Sequence, residues 1–194
     1  MRFGRITMSR LAKKPIILPK SVVFSIENDK AVLSGPKGEV RFFVHENISI
    51  DQQGEELFVV SKKSLGSPAG RQKNTKALLG TTHSLLKNAV RGAENGFEKK
   101  LEIEGIGYKA ILEGDIISLS LGFSHPIKIK APKGISFNVE KNIITISGAD
   151  KEMVGQIAAS IKSKKPVEPY KGKGIRYFGE TVRRKAGKKA VGTA

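Results

Sequence analysis

The chain has 194 residues, with 35 Lys and Arg against 18 Asp and Glu, giving a formal net charge of +17. It contains no Cys, which excludes disulfides, thiol nucleophiles and Cys-ligated zinc, and no apolar run reaches the ~18 residues that a membrane span needs. Hydrophobic residues make up 39%, enough for compact cores rather than a disordered chain.

In chain order, residues 1–14 read as a basic N-terminal extension. Met1 to Lys20 carry six Lys or Arg and no acid. The opening stretch lacks the apolar core of a signal peptide, and Met8 reads as a second candidate start.

Residues 15–93 read as a first sheet-plus-helix domain. Val22, Phe24 and Ile26 alternate with polar residues, the period of a strand with one buried face. Asn28-Asp29 then reads as a tight turn, and Ala31 to Ser34 as the returning strand. Further strands are expected at Glu39 to Val44 and Leu57 to Ser61. A helix is expected over Gln72 to Arg91, with Leu78, Leu79, Thr82, Leu85, Leu86, Ala89 and Val90 on one apolar stripe. Gly92 reads as its stop.

Residues 94–165 read as a second domain of the same kind. Strands are expected at Lys99 to Glu104, Tyr108 to Glu113 and Ile116 to Leu121, the last two joined through Gly114-Asp115. Ile135, Phe137 and Val139 then alternate, Lys141-Asn142 turns, and Ile143 to Ser147 returns. This run repeats the first domain at an offset of 113 residues with no gap. Pro19, Lys20, Phe24, Glu27, Ser34 and Gly35 recur as Pro132, Lys133, Phe137, Glu140, Ser147 and Gly148. A duplicated unit follows. The match is partial, because Gly38 to Gly70 have no counterpart at the same point. A second helix opens at Asp150, a good N-cap. It carries Met153, Val154, Ile157, Ala158 and Ile161, closes on Lys162, Lys164 and Lys165, and stops at Pro166. The fold class is therefore α+β: two tandem duplicated domains, each a small, mostly antiparallel sheet covered by one helix.

Residues 166–194 read as a basic tail. From Lys162 to the end there are eleven Lys or Arg against Glu168 and Glu180. Fifteen of the seventeen net charges thus sit at the two ends of the chain. Cationic arms of this kind point to a polyanionic partner, and nucleic acid is the first candidate because phosphate neutralisation releases counterions. Within the tail, Gly172 and Gly174 permit close backbone approach. Lys171, Lys173 and Arg176 supply cations, and Tyr170 and Tyr177 supply rings suited to stacking on a base or ribose. Arg183, Arg184, Lys185, Lys188 and Lys189 extend the charge.

Glu168 through Ile175, read Glu-Pro-Tyr-Lys-Gly-Lys-Gly-Ile, resemble the signature of the bacterial-type large-subunit ribosomal protein L6 family. Val167 stands where that signature has Pro. Ser9 to Ile16, Gly35-Pro36-Lys37-Gly38, and Gly96 to Ala110 are similar to the same family, so the likeness spans about residues 8 to 185. The resemblance implies two duplicated domains and binding to large-subunit rRNA through the second domain and tail. It also implies a place near the stalk base, beside neighbouring large-subunit proteins and the RNA loop where translational GTPases dock. RNA contact carries over to Tyr170, Lys171, Lys173 and Arg176 by the motif. For Arg183, Arg184, Lys185, Lys188 and Lys189 it rests on charge.

Other chemistry finds little support in the residues. Gly105-Ile106-Gly107-Tyr108-Lys109-Ala110 fits a loose dinucleotide pattern, but a strand follows where a helix is required. His45, His83 and His125 lack metal-ligand spacing. Glu102 and Glu104 share one strand face and read as a solvated face beside Lys99 and Lys100. No nucleophile, base and orienting group stand together. The expectation is a structural, non-enzymatic rRNA-binding protein without cofactor, working in a ribosome of the cytoplasm or of an organelle. An RNA-modifying enzyme, another basic RNA-binding protein and a peripheral protein of anionic membranes are the rivals.

Overall fold

The computed structural model describes residues 14–62 and 69–186. Most of the expected N-terminal extension, and Lys188 and Lys189, lie outside the described residues. In chain order the strands and helices are β1 (Ile16–Ile17), β2 (Val23–Glu27), β3 (Lys30–Gly35), β4 (Gly38–Phe43), β5 (Ile48–Gln53), β6 (Glu56–Ser61) and α1 (Ala69–Asn95). There follow β7 (Phe97–Glu104), β8 (Lys109–Glu113), β9 (Ile116–Ser120), β10 (Ile127–Lys130), β11 (Ile135–Glu140), β12 (Ile143–Gly148), α2 (Lys151–Lys164) and β13 (Gly174–Tyr177).

The chain divides into two compact units. One runs up to Gly96 and takes in Ala149–Lys151; the other holds Phe97–Gly148 and the residues from Glu152 on. All strand pairs are antiparallel. The first unit has two three-stranded sheets, ordered β1-β6-β5 and β2-β3-β4. The second has a three-stranded sheet, β10-β9-β8, and a four-stranded sheet, β11-β12-β7-β13. The architecture is α+β.

The internal repeat is visible as geometry. In the β2–β3 hairpin Phe24 faces Leu33 and Glu27 faces Lys30. In the β11–β12 hairpin Phe137 faces Ile146 and Glu140 faces Ile143, the same pairs displaced by the offset read from the sequence. The turns agree too: Asn28 and Asp29 take φ of 47° and 59°, and Lys141 takes 54°. Asn and Asp tolerate that left-handed conformation better than Lys does.

Each unit closes its own core. Leu33, Ile48, Leu57 and Leu86 are fully buried in the first. Leu101, Ile117, Leu119, Ile144, Ile146, Ile161 and Ile175 are fully buried in the second. On α1 the buried set is Leu79, Thr82, His83, Leu86, Ala89, Val90 and Ala93, a stripe of three- and four-residue steps. Leu85, expected on that stripe, is instead exposed, because it lies a quarter-turn off the line. His83 is buried, and its Nε2–H reaches the Lys14 carbonyl oxygen at 3.1 Å. Gly92 does not stop the helix: α1 continues to Asn95, and Gly96, at φ 75°, ends it with its N–H donating to the Gly92 carbonyl. Continuing the helix lets Ala93 pack into the core, where its carbonyl accepts from the Lys37 N–H.

Candidate nucleic-acid interface

The expected tail begins as a loop built onto the four-stranded sheet. After α2 ends, the Glu168 N–H donates to the Lys173 carbonyl at 2.8 Å and the Gly172 N–H to the Glu168 carbonyl at 3.0 Å. The chain then enters β13, and the Ile175 N–H donates to the Lys165 carbonyl at 2.9 Å. β13 pairs along β7, with Gly174 opposite Glu104 and Arg176 opposite Glu102. Ile175 is wholly buried, a burial that contributes about 1.5–3 kcal/mol. Farther on, the Lys185 N–H donates to the Pro169 carbonyl at 2.9 Å, returning the chain to the loop.

Within this frame the site residues fall into three sets. Tyr170 is 56% exposed, and Lys171, Arg183, Arg184 and Lys185 are exposed, with Lys173 half-buried. The segment thus presents exposed cations and one exposed ring. Gly172 and Gly174 are buried. Gly174 has φ 144° and lies so close to Pro166 and Val167 that a methyl there would meet the Pro166 carbonyl oxygen at 2.7 Å. The motif glycine at this position is therefore a requirement of the fold.

Arg176 and Tyr177 are engaged within the protein. Arg176 Nε donates to Glu102 Oε2 at 3.0 Å, and its Nη1 lies 2.8 Å from Glu104 Oε2. The Glu102 hydrogen bond, ahead of the pull of both carboxylates, raises the guanidinium pKa above its ordinary value. The Tyr177 ring has Lys162 Nζ at 4.4 Å and Lys99 Nζ at 4.9 Å from its centre, both within cation–π range. Lys162 also donates to both oxygens of Glu180, at 2.6 and 2.7 Å, and the Tyr177 N–H donates to the same carboxylate at 3.0 Å. Lys162 first, and then the Tyr177 N–H, hold the Glu180 carboxyl below its ordinary pKa.

Glu102 and Glu104 are the residues that sequence reasoning misassigned. They face not a solvated strand surface beside Lys99 and Lys100 but two arginines of the tail. Arg184 Nη2 lies 3.6 Å from Glu104 Oε1. Their same-face spacing was readable; their partners required knowing that 174–177 is a strand.

Among the described residues no three His, Cys, Asp or Glu gather where a metal ion could sit. No helix among them is long and apolar enough to cross a membrane.

A family model described as ribosomal protein L6 matches residues 104–178, from Glu104 through the loop and β13. The chain is similar to large ribosomal subunit protein uL6c of Guillardia theta, 48% identical over 182 residues, covering 93% of this chain and 98% of that protein. It is also 48% identical to protein uL6 of Nitratiruptor sp. over 187 residues, covering 94% and 99% of the two chains. Against uL6 of Trichormus variabilis the identity is 44% over 186 residues, covering 95% and 98%.

Proposed function

The chain belongs to the ribosomal protein L6 family, and from that premise we propose that it is a structural protein of the large ribosomal subunit, acting by binding rather than by catalysis. Its ligand is large-subunit rRNA near the stalk base and the region where translational GTPases dock, among neighbouring large-subunit proteins. It works in the ribosome of the cytoplasm or of an organelle. The division of labour follows the charge. Residues 15–93 and 94–165 supply rigid modules, residues 1–14 a basic N-terminal extension, and residues 166–194 the main RNA-binding segment. Tyr170, Lys171, Lys173, Arg183 and Lys185, with Lys188 and Lys189, neutralise phosphates and stack. Arg184 adds charge at the edge. Gly172 and Gly174, both buried, let the loop fold, while Arg176 and Tyr177 chiefly brace the surface. Phosphate contacts position without reading sequence, so specificity comes from RNA shape.

The observation that supports this best is the exposed Tyr170 and Lys171 on a loop whose backbone is tied down at both ends. If about six cations meet phosphates, affinity for a large-subunit rRNA fragment should fall on the order of a thousandfold between 50 and 200 mM salt. Lys171 and Lys173 changed together to Glu should weaken that binding and leave the melting temperature nearly unchanged. An affinity flat across salt would overturn the reading, as would equal loss of binding and stability in the double variant.

A further inference from the structure

Glu102 and Glu104 are two acids at the root of a surface read as phosphate-binding. By charge alone they oppose that role. Their placement gives them another. Glu104 ties the strand to the chain beyond it: one carboxylate oxygen lies 2.8 Å from Arg176 Nη1 and the other 3.6 Å from Arg184 Nη2. Glu102 fixes Arg176 from the neighbouring position, Nε to Oε2 at 3.0 Å.

Arg184 in turn lies over the loop. A methyl on Gly172 would come within 3.0 Å of its Nη2 and 3.1 Å of its Nε. The guanidinium therefore packs against the backbone between Lys171 and Lys173. The next residue, Lys185, donates its N–H to the Pro169 carbonyl. Strand, carboxylate, arginine and loop form a closed circuit around Tyr170 and Lys171.

We propose that Glu104, seconded by Glu102, is a positioning residue for RNA binding: it clasps Arg184 over Gly172 and so holds the Tyr170–Lys173 loop in its binding shape before RNA arrives. The proposal rests on the RNA-binding reading above. Preordering removes a cost otherwise met on association, and the clasp predicts an effect opposite in sign to simple electrostatics. Removing a negative charge beside phosphates should tighten binding; removing the clasp should weaken it.

The test is E104Q in the full chain, which keeps side-chain size but replaces one of the two acceptor oxygens facing the arginines with a donor NH2 and removes the charge. Two quantities are measured: affinity for a large-subunit rRNA fragment across salt, and amide exchange of the free protein. The expected result is affinity about three- to tenfold weaker, with faster exchange at the Gly172 and Lys185 amides and unchanged exchange in α2. R184Q should give the same change in exchange at Gly172 and Lys185. Unchanged or tighter RNA binding by E104Q overturns the positioning role, as does unaltered exchange at both amides. Failure of the wild-type chain to bind the RNA at all would instead sink the RNA-binding reading, while the exchange comparison would still decide whether the clasp exists.

Discussion

Gly174 separates the two uses of the signature motif. Its φ of 144° belongs to a region that side-chain-bearing residues rarely occupy, and the atoms a Cβ would meet are backbone: the Pro166 carbonyl oxygen and Val167 Cα, each at 2.7 Å. No flexible side chain is there to move aside. Gly174→Ala should destabilise the second unit by about 1–3 kcal/mol, read from urea unfolding. It leaves every charge in place, so any loss of RNA binding should disappear once the folded fraction is accounted for. Lys171, two residues before Lys173 in the same motif, is exposed, and its replacement should act on binding alone. A stability-neutral Gly174→Ala would show that the loop relaxes around the new methyl, and the motif's glycines would then need a reason outside the fold.

At the scale of elements, the end of α2 is fastened to the chain beyond β13 by Lys162 and Glu180, with the Tyr177 ring against Lys162. The Glu180 carboxyl is held below its ordinary 4.5, chiefly by Lys162 and then by the Tyr177 N–H. A depressed folded pKa means that the ionised form stabilises. The contribution is complete above about pH 4.5 and is lost as pH falls through the depressed folded value. Wild type should therefore melt above E180Q at neutral pH, and the gap should close in acid; a gap constant with pH would assign the effect to something other than this carboxylate. The same elements show what the sequence could reveal. The two hairpins were legible because three alternating apolar residues, a turn and a returning strand recur at one offset. Helix α2 was legible from its cap, stripe and proline. The strands not anticipated are short or disguised. β1 has two residues and β10 four. β5 has only Ile48 and Ile50 ahead of Asp51-Gln52-Gln53. β13 is Gly-Ile-Arg-Tyr, a single aliphatic residue inside a cationic, glycine-rich run. Composition there signals a solvated arm, while Ile175 and the open edge of β7 make it a strand. That one misreading also hid the roles of Glu102, Glu104, Arg176 and Tyr177, since tertiary pairing decides each of them.

For the whole molecule, the charge is concentrated at the ends while folding is not confined to the middle. The 33 residues from Lys162 onward carry eleven Lys or Arg, yet part of that stretch completes a sheet and fills a core. Two truncations separate these functions. A chain stopped at Lys165 loses β13 and with it Ile175, which is wholly buried in the second core opposite Ile103. The edge of β7 is then left open and the pocket of Ile175 empty. Loss of a buried aliphatic side chain alone costs about 2–5 kcal/mol, so the second unit should melt earlier and more broadly, while the first unit, with its own core, should keep its transition. A chain stopped at residue 186 keeps β13, Arg176 and Arg184 and loses only Lys188 and Lys189 among the cations. Its melting should be nearly unchanged, and the slope of log affinity against log salt should fall by about two if both lysines meet phosphate. Calorimetry on the two truncated chains, with RNA titrations of the longer one, reads all of this. Equal melting of the chain stopped at Lys165 and the full chain would mean that the sheet is complete without its last strand, and the 166–194 segment would then be an appendage after all.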